Sequence, residues 1–168
     1  MGDRLKGKVA VVTGAGGGIG RGESLALASE GAKVVVNDLG GTVAGSGTST
    51  SAADKVVDEI KKMGGEAVAN YDSVTTLAGG ENIIKTAVDK FGKLDILVNN
   101  AGILRDKMVY NMTEEDWDLV MKVHLYGHFF TTKFACMFFR EQKSGRIINT
   151  SSVAGLGMTF GQANYGAA

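Results

Sequence analysis

The residues with the clearest chemical capacity form a glycine turn at residues 13–20, Thr-Gly-Ala-Gly-Gly-Gly-Ile-Gly. Glycine adopts positive φ at little cost and lets a ligand approach the backbone closely. An apolar β-type run precedes the turn and helix-forming sequence follows it. A helix N-terminus offers free N–H groups and a positive dipole end, which suit a pyrophosphate. A plain flexible turn is the alternative, and the flanking sequence disfavours it.

Polar or glycine-containing clusters also follow each of the other predicted strands. In a doubly wound sheet, ligands bind beyond the carboxyl ends of the strands, so these positions matter most. Asp38 can accept hydrogen bonds from both hydroxyls of an adenosine ribose, although alone it could be an ordinary loop carboxylate. Its charge would repel a 2′-phosphate and favours NAD over NADP, while Arg21 nearby leaves the point open. The remaining clusters are Asp72-Ser73-Val74, Asn99-Asn100-Ala101-Gly102 and Ser151-Ser152.

The elements that must position these residues alternate between strand and helix. The sequence predicts strands at 9–13, 33–36, 66–71, 95–99 and 145–150. It predicts helices that end at Gly31, that span 52–63 and 81–91, that run from the N-cap Thr113 to about Gln142, and that begin near Gln162. Residues 40–50 are expected to form a mobile loop. This order indicates an α/β fold, a doubly wound parallel sheet (Rossmann fold) with both faces covered, in one domain over residues 1–168.

Composition excludes several function classes. The 168 residues carry eighteen basic and eighteen acidic side chains, so no charge excess predicts binding to nucleic acid or to an anionic membrane. Cys136 is the one cysteine; it cannot form an internal disulfide and is expected to be a buried apolar filler. No signal-like or membrane-length apolar run occurs. We therefore expect a cytoplasmic protein.

Three motifs together resemble the signature of the short-chain dehydrogenase/reductase superfamily. They are Thr13-Gly14-x-x-x-Gly18-Ile19-Gly20, Asn99-Asn100-Ala101-Gly102, and Ser152 followed thirteen residues later by Tyr165. Segments 35–41, 69–74, 99–106, 123–125 and 160–165 further resemble the (3R)-hydroxyacyl-CoA dehydrogenase domain of peroxisomal multifunctional enzymes. Bacterial single-domain relatives share these features. A chain from a eukaryotic multifunctional enzyme would be peroxisomal.

The resemblance implies roles for particular residues. Hydride loss from an alcohol requires a base for the hydroxyl proton. By resemblance Tyr165 is that acid/base, and Ser152 binds the substrate oxygen. The implied cofactor is NAD, with the following binding residues: Thr13, Gly14, Gly18, Ile19 and Gly20 for the pyrophosphate, Asp38 for the ribose, Asp72, Ser73 and Val74 for the adenine edge, and Asn100, Ala101 and Gly102 for the floor.

One departure from the superfamily concerns His124, where Asn is usual. That Asn anchors a water in the proton relay and stabilises a helix distortion. Histidine can both donate and accept, so His124 is a catalytic candidate in the same relay. His124 and His128 lie four residues apart, but no third ligand is evident and we expect no metal site.

The second departure is at the C-terminus. The motif's Lys, one helical turn after Tyr165, would occupy position 169, and the sequence ends at Ala168. We therefore expect a C-terminally truncated fragment that binds cofactor weakly and turns over negligibly.

An apolar surface on the long helix predicts a homo-oligomer. Tyr126, Phe130, Phe134 and Phe138 recur every four residues, and other apolar side chains widen the surface beyond what one sheet can cover. By resemblance this helix pairs with its symmetry mate.

Three functions compete at this point. The leading one is NAD-dependent oxidation of a secondary alcohol, with a (3R)-hydroxyacyl-CoA thioester as substrate. An NADPH-dependent 3-oxoacyl-carrier-protein reductase is the enzymatic alternative, which Asp38 argues against. A catalytically silent nucleotide-binding or assembly subunit is the alternative from another class.

Overall fold

The fold is built on one five-stranded parallel sheet of order β3-β2-β1-β4-β5, seen in a computed structural model that describes residues 2–157 and 159–168. The chain runs outward from β1 to β3, then crosses back to β4 and continues to β5. This reversal opens a crevice between β1 and β4 and confirms the predicted doubly wound sheet. The strands are β1 (Val9–Thr13), β2 (Lys33–Asn37), β3 (Ala67–Asn70), β4 (Ile96–Asn99) and β5 (Arg146–Asn149). The helices are α1 (Gly18–Ser29), α2 (Ser51–Lys62), α3 (Leu77–Phe91), α4 (Glu114–Met121), α5 (Gly127–Gln142) and α6 (Ala163–Ala167).

Helices cover both faces of the sheet, as predicted. On one face Ala10 and Val12 of β1 pack with Ala28 of α1 and Ile60 of α2. On the other face the alternate β1 residues Val9 and Val11 join side chains of α3, α4 and α5. The inner part of a strand that is buried on both sides has no polar position, which is why residues 9–12 of β1 and 34–36 of β2 are unbroken apolar runs.

The third helix begins at Leu77, four residues before its predicted start. Thr76 caps it by accepting a hydrogen bond from the Gly79 N–H at 3.0 Å. Glycine has a low helix propensity, so the pair at 79–80 does not predict a helical first turn. Instead, a Cβ on Gly80 would lie 2.7 Å from Phe130 Cβ, so glycine there permits α3 to approach α5 closely.

The predicted long helix from Thr113 to Gln142 is confirmed, with one interruption. Thr113 and Asp116 form a capping box that starts α4. Residues Lys122–Tyr126 then form a π-helical segment before α5 continues in the same direction. Such π segments are frequent at functional sites, and this one contains His124.

Apolar side chains remain exposed along the outer side of α5 and at the end of the π-helical segment before it. Tyr126, Phe129 and Met137 are each at least half exposed, whereas Phe134 and Phe138 pack partly into the core. The expectation that Cys136 is buried is wrong, because it lies on this exposed side. In the described residues, no helix combines the length and hydrophobicity needed to cross a bilayer.

Candidate cofactor and active site

A cleft of about 650 Å³ opens at the carboxyl ends of the strands. This volume lies within the range of about 300–1,000 Å³ typical of small-molecule sites. The topology brings together side chains that are far apart in sequence, because parallel strands end at the same edge. The predicted residues that line the cleft are Gly14, Gly18, Ile19, Asp38, Asp72, Ser73, Val74, Asn100, Ala101, Gly102, His124 and Tyr165.

The glycine turn has the backbone geometry that a close ligand requires. Gly14 and Gly18 have φ of 62° and 52°, in the left-handed region that favours glycine. A Cβ on Gly14 would lie 2.7 Å from Ala101 Cα, whereas Gly17 and Gly18 have open space around them. Helix α1 starts here, and no side chain caps its N-terminus. The open glycines and uncapped N–H groups form a cradle for an anionic group.

Thr13 and Asn100 both hold the glycine turn in place, but only Asn100 also lines the cleft. Thr13 is buried, and its hydroxyl oxygen accepts the backbone N–H groups of Asn100 and Ala101 at 3.0 and 3.1 Å. Gly20 is also buried. Thr13 and Gly20 therefore shape the site from behind it, and the cleft wall itself is Gly14, Gly17, Gly18 and Ile19.

Asp38 lies at the end of β2 with both carboxylate oxygens held. Oδ2 accepts the Gly16 N–H at 2.7 Å, and Oδ1 accepts the Gly40 N–H at 2.6 Å. Each oxygen keeps a further lone pair, so the carboxylate can still accept from a ribose hydroxyl. The arrangement fixes a negative charge between the glycine turn and the following loop.

A network of asparagines beneath the cleft was not predicted. Asn37 donates to Asn70 Oδ1 at 2.8 Å and to the Asp72 carbonyl at 2.9 Å, and Asn70 donates to Asp72 Oδ2 at 2.8 Å. These bonds fix the backbone that carries Ser73 and Val74. The signal in the sequence is that β2, β3, β4 and β5 all end in Asn, a position where an amide can bridge neighbouring strands.

The loop at residues 40–50 forms part of the cleft wall. The Leu104 N–H donates to the Val43 carbonyl at 3.0 Å, and Arg105 Nε donates to the Ala44 carbonyl at 2.6 Å. The loop therefore reaches the segment that follows β4. Sequence reasoning missed this apolar part of the wall, which also includes Ile103, Leu119 and Val123.

His124 and Tyr165 meet at the other end of the cleft. Their ring centroids lie 5.1 Å apart in an edge-on arrangement with an interplanar angle of 79°. His124 Nε2 lies 3.0 Å from the Ile103 N and 2.9 Å from the Ile103 carbonyl oxygen. An unprotonated Nε2 accepts the Ile103 N–H, and a protonated Nε2 donates to the Ile103 carbonyl. Burial lowers the pKa of His124 and also that of His128, which the nearby His124 lowers further. The neutral imidazole is therefore the favoured form, and it can accept or donate.

Ser152 lies beside the cleft rather than in its lining. Its hydroxyl accepts the Ala154 N–H at 3.2 Å and caps the 3-10 turn Val153–Leu156. On this side the cleft is lined by Thr150 and Tyr165. The structure therefore brings His124 and Tyr165 together, while Ser152 is held in a local capping bond. Among the described residues, no group of three or more His, Cys, Asp or Glu side chains is placed to hold a metal.

The parallel sheet, the glycine turn at its switch point and the adjoining cleft define a nucleotide-binding domain of the Rossmann type. The family model described as short chain dehydrogenase matches residues 8–168. The chain belongs to the short-chain dehydrogenase family, whose enzymes use a nicotinamide cofactor.

Particular relatives are 48–59% identical across nearly the whole chain. A peroxisomal hydratase-dehydrogenase-epimerase of Neurospora crassa is 59% identical over 98% of the chain, which spans 18% of that protein. A 3-oxoacyl-[acyl-carrier-protein] reductase of Synechocystis is somewhat less similar, 48% identical over 98% of the chain and 63% of the relative. A crystal structure of a short chain dehydrogenase from Mycobacterium avium superposes with a TM-score of 0.89 at 52% identity, covering 97% of this chain and 60% of that one. The chain thus spans less than two thirds of each of these relatives.

Proposed function

We propose that the protein is an NAD-dependent oxidoreductase that interconverts a secondary alcohol and a ketone, with a (3R)-hydroxyacyl-CoA thioester as its substrate. The observation that carries the proposal is that one cleft has a nucleotide cradle and Asp38 at one end and Tyr165 with His124 at the other. The similarity to the Neurospora enzyme supports the dehydrogenase assignment. A hydroxyacyl-CoA dehydrogenase of Mycobacterium tuberculosis, 47% identical over 98% of the chain, supports the acyl thioester. The similarity to the Neurospora enzyme also supports a peroxisomal location for a eukaryotic form, and we propose the cytoplasm for a bacterial one.

The residues present fit a dinucleotide. The glycine turn accepts the pyrophosphate, because Gly17 and Gly18 leave open space beside the uncapped N-terminus of α1. Asp38 accepts the adenosine ribose hydroxyls, Asp72, Ser73 and Val74 border the adenine, and Asn100, Ala101 and Gly102 form the floor. When bound, the nicotinamide supplies a hydride acceptor or donor. The fixed carboxylate of Asp38 disfavours a 2′-phosphate, which is why we propose NAD.

Proton movement is assigned to Tyr165. Its phenol takes the proton of the substrate hydroxyl during oxidation and returns it during reduction. An unperturbed tyrosine has a pKa of about 10, so a nearby positive charge must assist it. A lysine one helical turn further along the chain would provide this charge. Ser152 would turn its hydroxyl from the Ala154 N–H towards the substrate oxygen. His124, held at Nε2 by the Ile103 backbone, would use its other ring nitrogen to hold a water in the proton relay to solvent.

The exposed apolar side of α5, together with Tyr126 just before it, supports a second part of the proposal, a homo-oligomer. Tyr126, Phe129 and Met137 form an apolar surface of the kind that marks protein interfaces. Light scattering of Phe129→Glu against the parent protein tests this. The charged variant should be smaller, and an unchanged mass would contradict the interface.

An assay with matched substrates tests the activity. The protein should be compared in two forms, the 168-residue chain and a chimera continued with the C-terminal part of the Mycobacterium avium dehydrogenase. Each form receives (3R)- or (3S)-hydroxybutyryl-CoA with NAD or NADP, and the carrier-protein thioester with NADPH. We expect NADH formation from the (3R) thioester in the chimera and little in the shorter chain. Preference for NADPH and the carrier-protein substrate would favour the reductase, and an inactive chimera that still binds NADH would favour a silent nucleotide-binding subunit.

A further inference from the structure

Asn164, which directly precedes Tyr165, is fully buried and has every polar group occupied. Its Nδ2 donates to the carbonyl oxygens of Arg105 and Asp116, at 3.1 and 3.0 Å. Its Oδ1 accepts the Tyr165 N–H at 2.8 Å. A buried amide with both donors and its acceptor paired has one favourable orientation, because any other would leave polar groups unsatisfied.

The acceptors of Asn164 belong to a well-anchored part of the chain. Asp116 is buried, and its Oδ2 accepts Lys107 Nζ at 2.6 Å and the Thr113 hydroxyl at 2.7 Å. Arg105 lies 3.6 Å from the other carboxylate oxygen. The hydrogen bond from Lys107 lowers the pKa of the Asp116 carboxyl most, and the two hydrogen bonds from Thr113 lower it further. The pKa therefore lies well below its usual range, and the side chain stays ionised and keeps these bonds.

Two further bonds join the same segments. The Lys107 N–H donates to the Gly161 carbonyl at 2.8 Å, and Gln162 Nε2 donates to Asp106 Oδ2 at 2.9 Å. The strand-like bridge between Lys107 and Gln162 thus leads directly to Asn164. The first of these bonds is a single backbone pair, and the second joins side chains at the exposed surface. The Asn164 amide, by contrast, links the two segments in the buried interior.

Helix α6 has only five residues, too few to fix its own position in water. The placement of Tyr165 against His124 must therefore come from tertiary contacts. Tyr165 itself is only partly buried. The side chain next to it, Asn164, supplies two of these contacts as buried long-range hydrogen bonds.

We propose that Asn164 is a positioning residue, whose side-chain amide fixes the first turn of α6 to the backbone of Arg105 and Asp116 and thereby holds the Tyr165 ring against His124. The consequence for catalysis rests on the proposed function. The consequence for geometry does not, since it concerns the relative position of two rings.

A double-mutant NMR experiment tests the geometry. The 168-residue chain has four tyrosines, so ¹³C-labelled tyrosine gives few signals and Tyr165→Phe assigns the one that matters. In the parent chain His124→Asn should shift the Tyr165 ring signals, because an aromatic neighbour is removed. In an Asn164→Ala background the same change should have no such effect. The matched control is Ala163→Ser, an exposed neighbour on the same turn, which should preserve the shift.

The outcomes are separable. A His124-dependent shift that persists in Asn164→Ala overturns the proposal. If Asn164→Ala does not fold, Asn164→Ser, which keeps one donor, takes its place and should show an intermediate shift; a full shift again overturns it. In the active chimera Asn164→Ala should lower kcat by about tenfold or more with the NADH dissociation constant unchanged, since a small misplacement of a reacting group is costly. Unchanged kcat refutes the positioning role, whereas an inactive parent chimera refutes the proposed function and leaves the NMR result decisive for positioning.

Discussion

The side-chain amide of Asn100 donates to the carbonyl oxygens of Thr13 and Gly14, at 2.9 and 3.1 Å, while the Asn100 N–H donates to the Thr13 hydroxyl oxygen at 3.0 Å. Asn100 donates all three of these bonds, and together they tie the end of β4 to the end of β1. Because β1 ends at Thr13 and the glycine turn starts there, the end of β4 fixes the turn before any ligand arrives. The motif around Asn100 therefore acts through the backbone of the turn as well as through the cleft floor.

Thr13→Val should destabilise the protein by about 1–3 kcal/mol, the cost of leaving buried donors without an acceptor. The N–H groups of Asn100 and Ala101 both lose their partner in this near-isosteric variant. Urea unfolding followed by circular dichroism measures the change. Thr13→Ser keeps the hydroxyl and is the matched control. Equal midpoints for the Val and Ser variants would show that the hydroxyl does not hold this junction.

Two glycines of α1 should respond to alanine in opposite directions. A Cβ on Gly20 would overlap the Gly14 carbonyl and the Asn100 amide, so Gly20→Ala should destabilise by about 1–3 kcal/mol through overpacking and should weaken NADH binding. Gly22 is exposed, with open space around it, so Gly22→Ala should stabilise by about 0.5–1 kcal/mol through helix propensity. Thermal unfolding of both variants gives the signs. A stabilising Gly20→Ala would mean that the turn is not closely packed on Asn100.

The sheet and the cleft could be predicted because their determinants are local. Apolar β-type runs such as β1 are recognisable from a few residues, and polar residues after each strand must meet at one edge of a parallel sheet. The glycine turn, Asp38 and the segment around Asn100 followed from that rule and from the family motifs. The start of α3 was missed because glycine has a low helix propensity, and the packing of Gly80 against Phe130 is a tertiary contact.

What could not be predicted depends on contacts between distant residues. The bonds from the loop at residues 40–50 to Leu104 and Arg105 join segments about sixty positions apart and leave no local pattern. The same holds for Asn164, which reads as an ordinary residue before Tyr165. The exposure of Cys136 depends on which side of α5 faces the sheet, and the broad apolar surface of that helix concealed the answer.

Asp38→Asn should shift cofactor preference towards NADP. The substitution removes the negative charge at the ribose position while keeping nearly the same shape, so the repulsion of a 2′-phosphate is lost. The ratio of NADPH to NADH dissociation constants, measured by fluorescence, should fall by about tenfold, which corresponds to 1.4 kcal/mol. Asp58→Asn removes an equal charge from an exposed position of α2 and is the control. If the ratio in Asp38→Asn equals that of the parent, Asp38 does not determine the preference for NAD over NADP.

Stability should fall as the pH drops from about 7 to 5, because burial lowers the pKa of His124 and His128 in the folded protein. In the unfolded chain these groups take up protons near pH 6.5, so between that pH and the lower folded-state pKa the unfolded state binds more protons. The stabilising contribution of the neutral histidines is present above that range and is lost as the pH falls through it.

Asp116, whose pKa is also lowered, contributes above its ordinary value of 3.8 and loses its contribution only in stronger acid. The free energy of unfolding, measured at pH 5, 6 and 7, should therefore vary less in the double variant His124→Asn/His128→Asn than in the parent. Asp116→Asn should be less stable than the parent at all three pH values, with the same dependence on pH. A double histidine variant with the parent's slope over this range would place the titrating groups elsewhere.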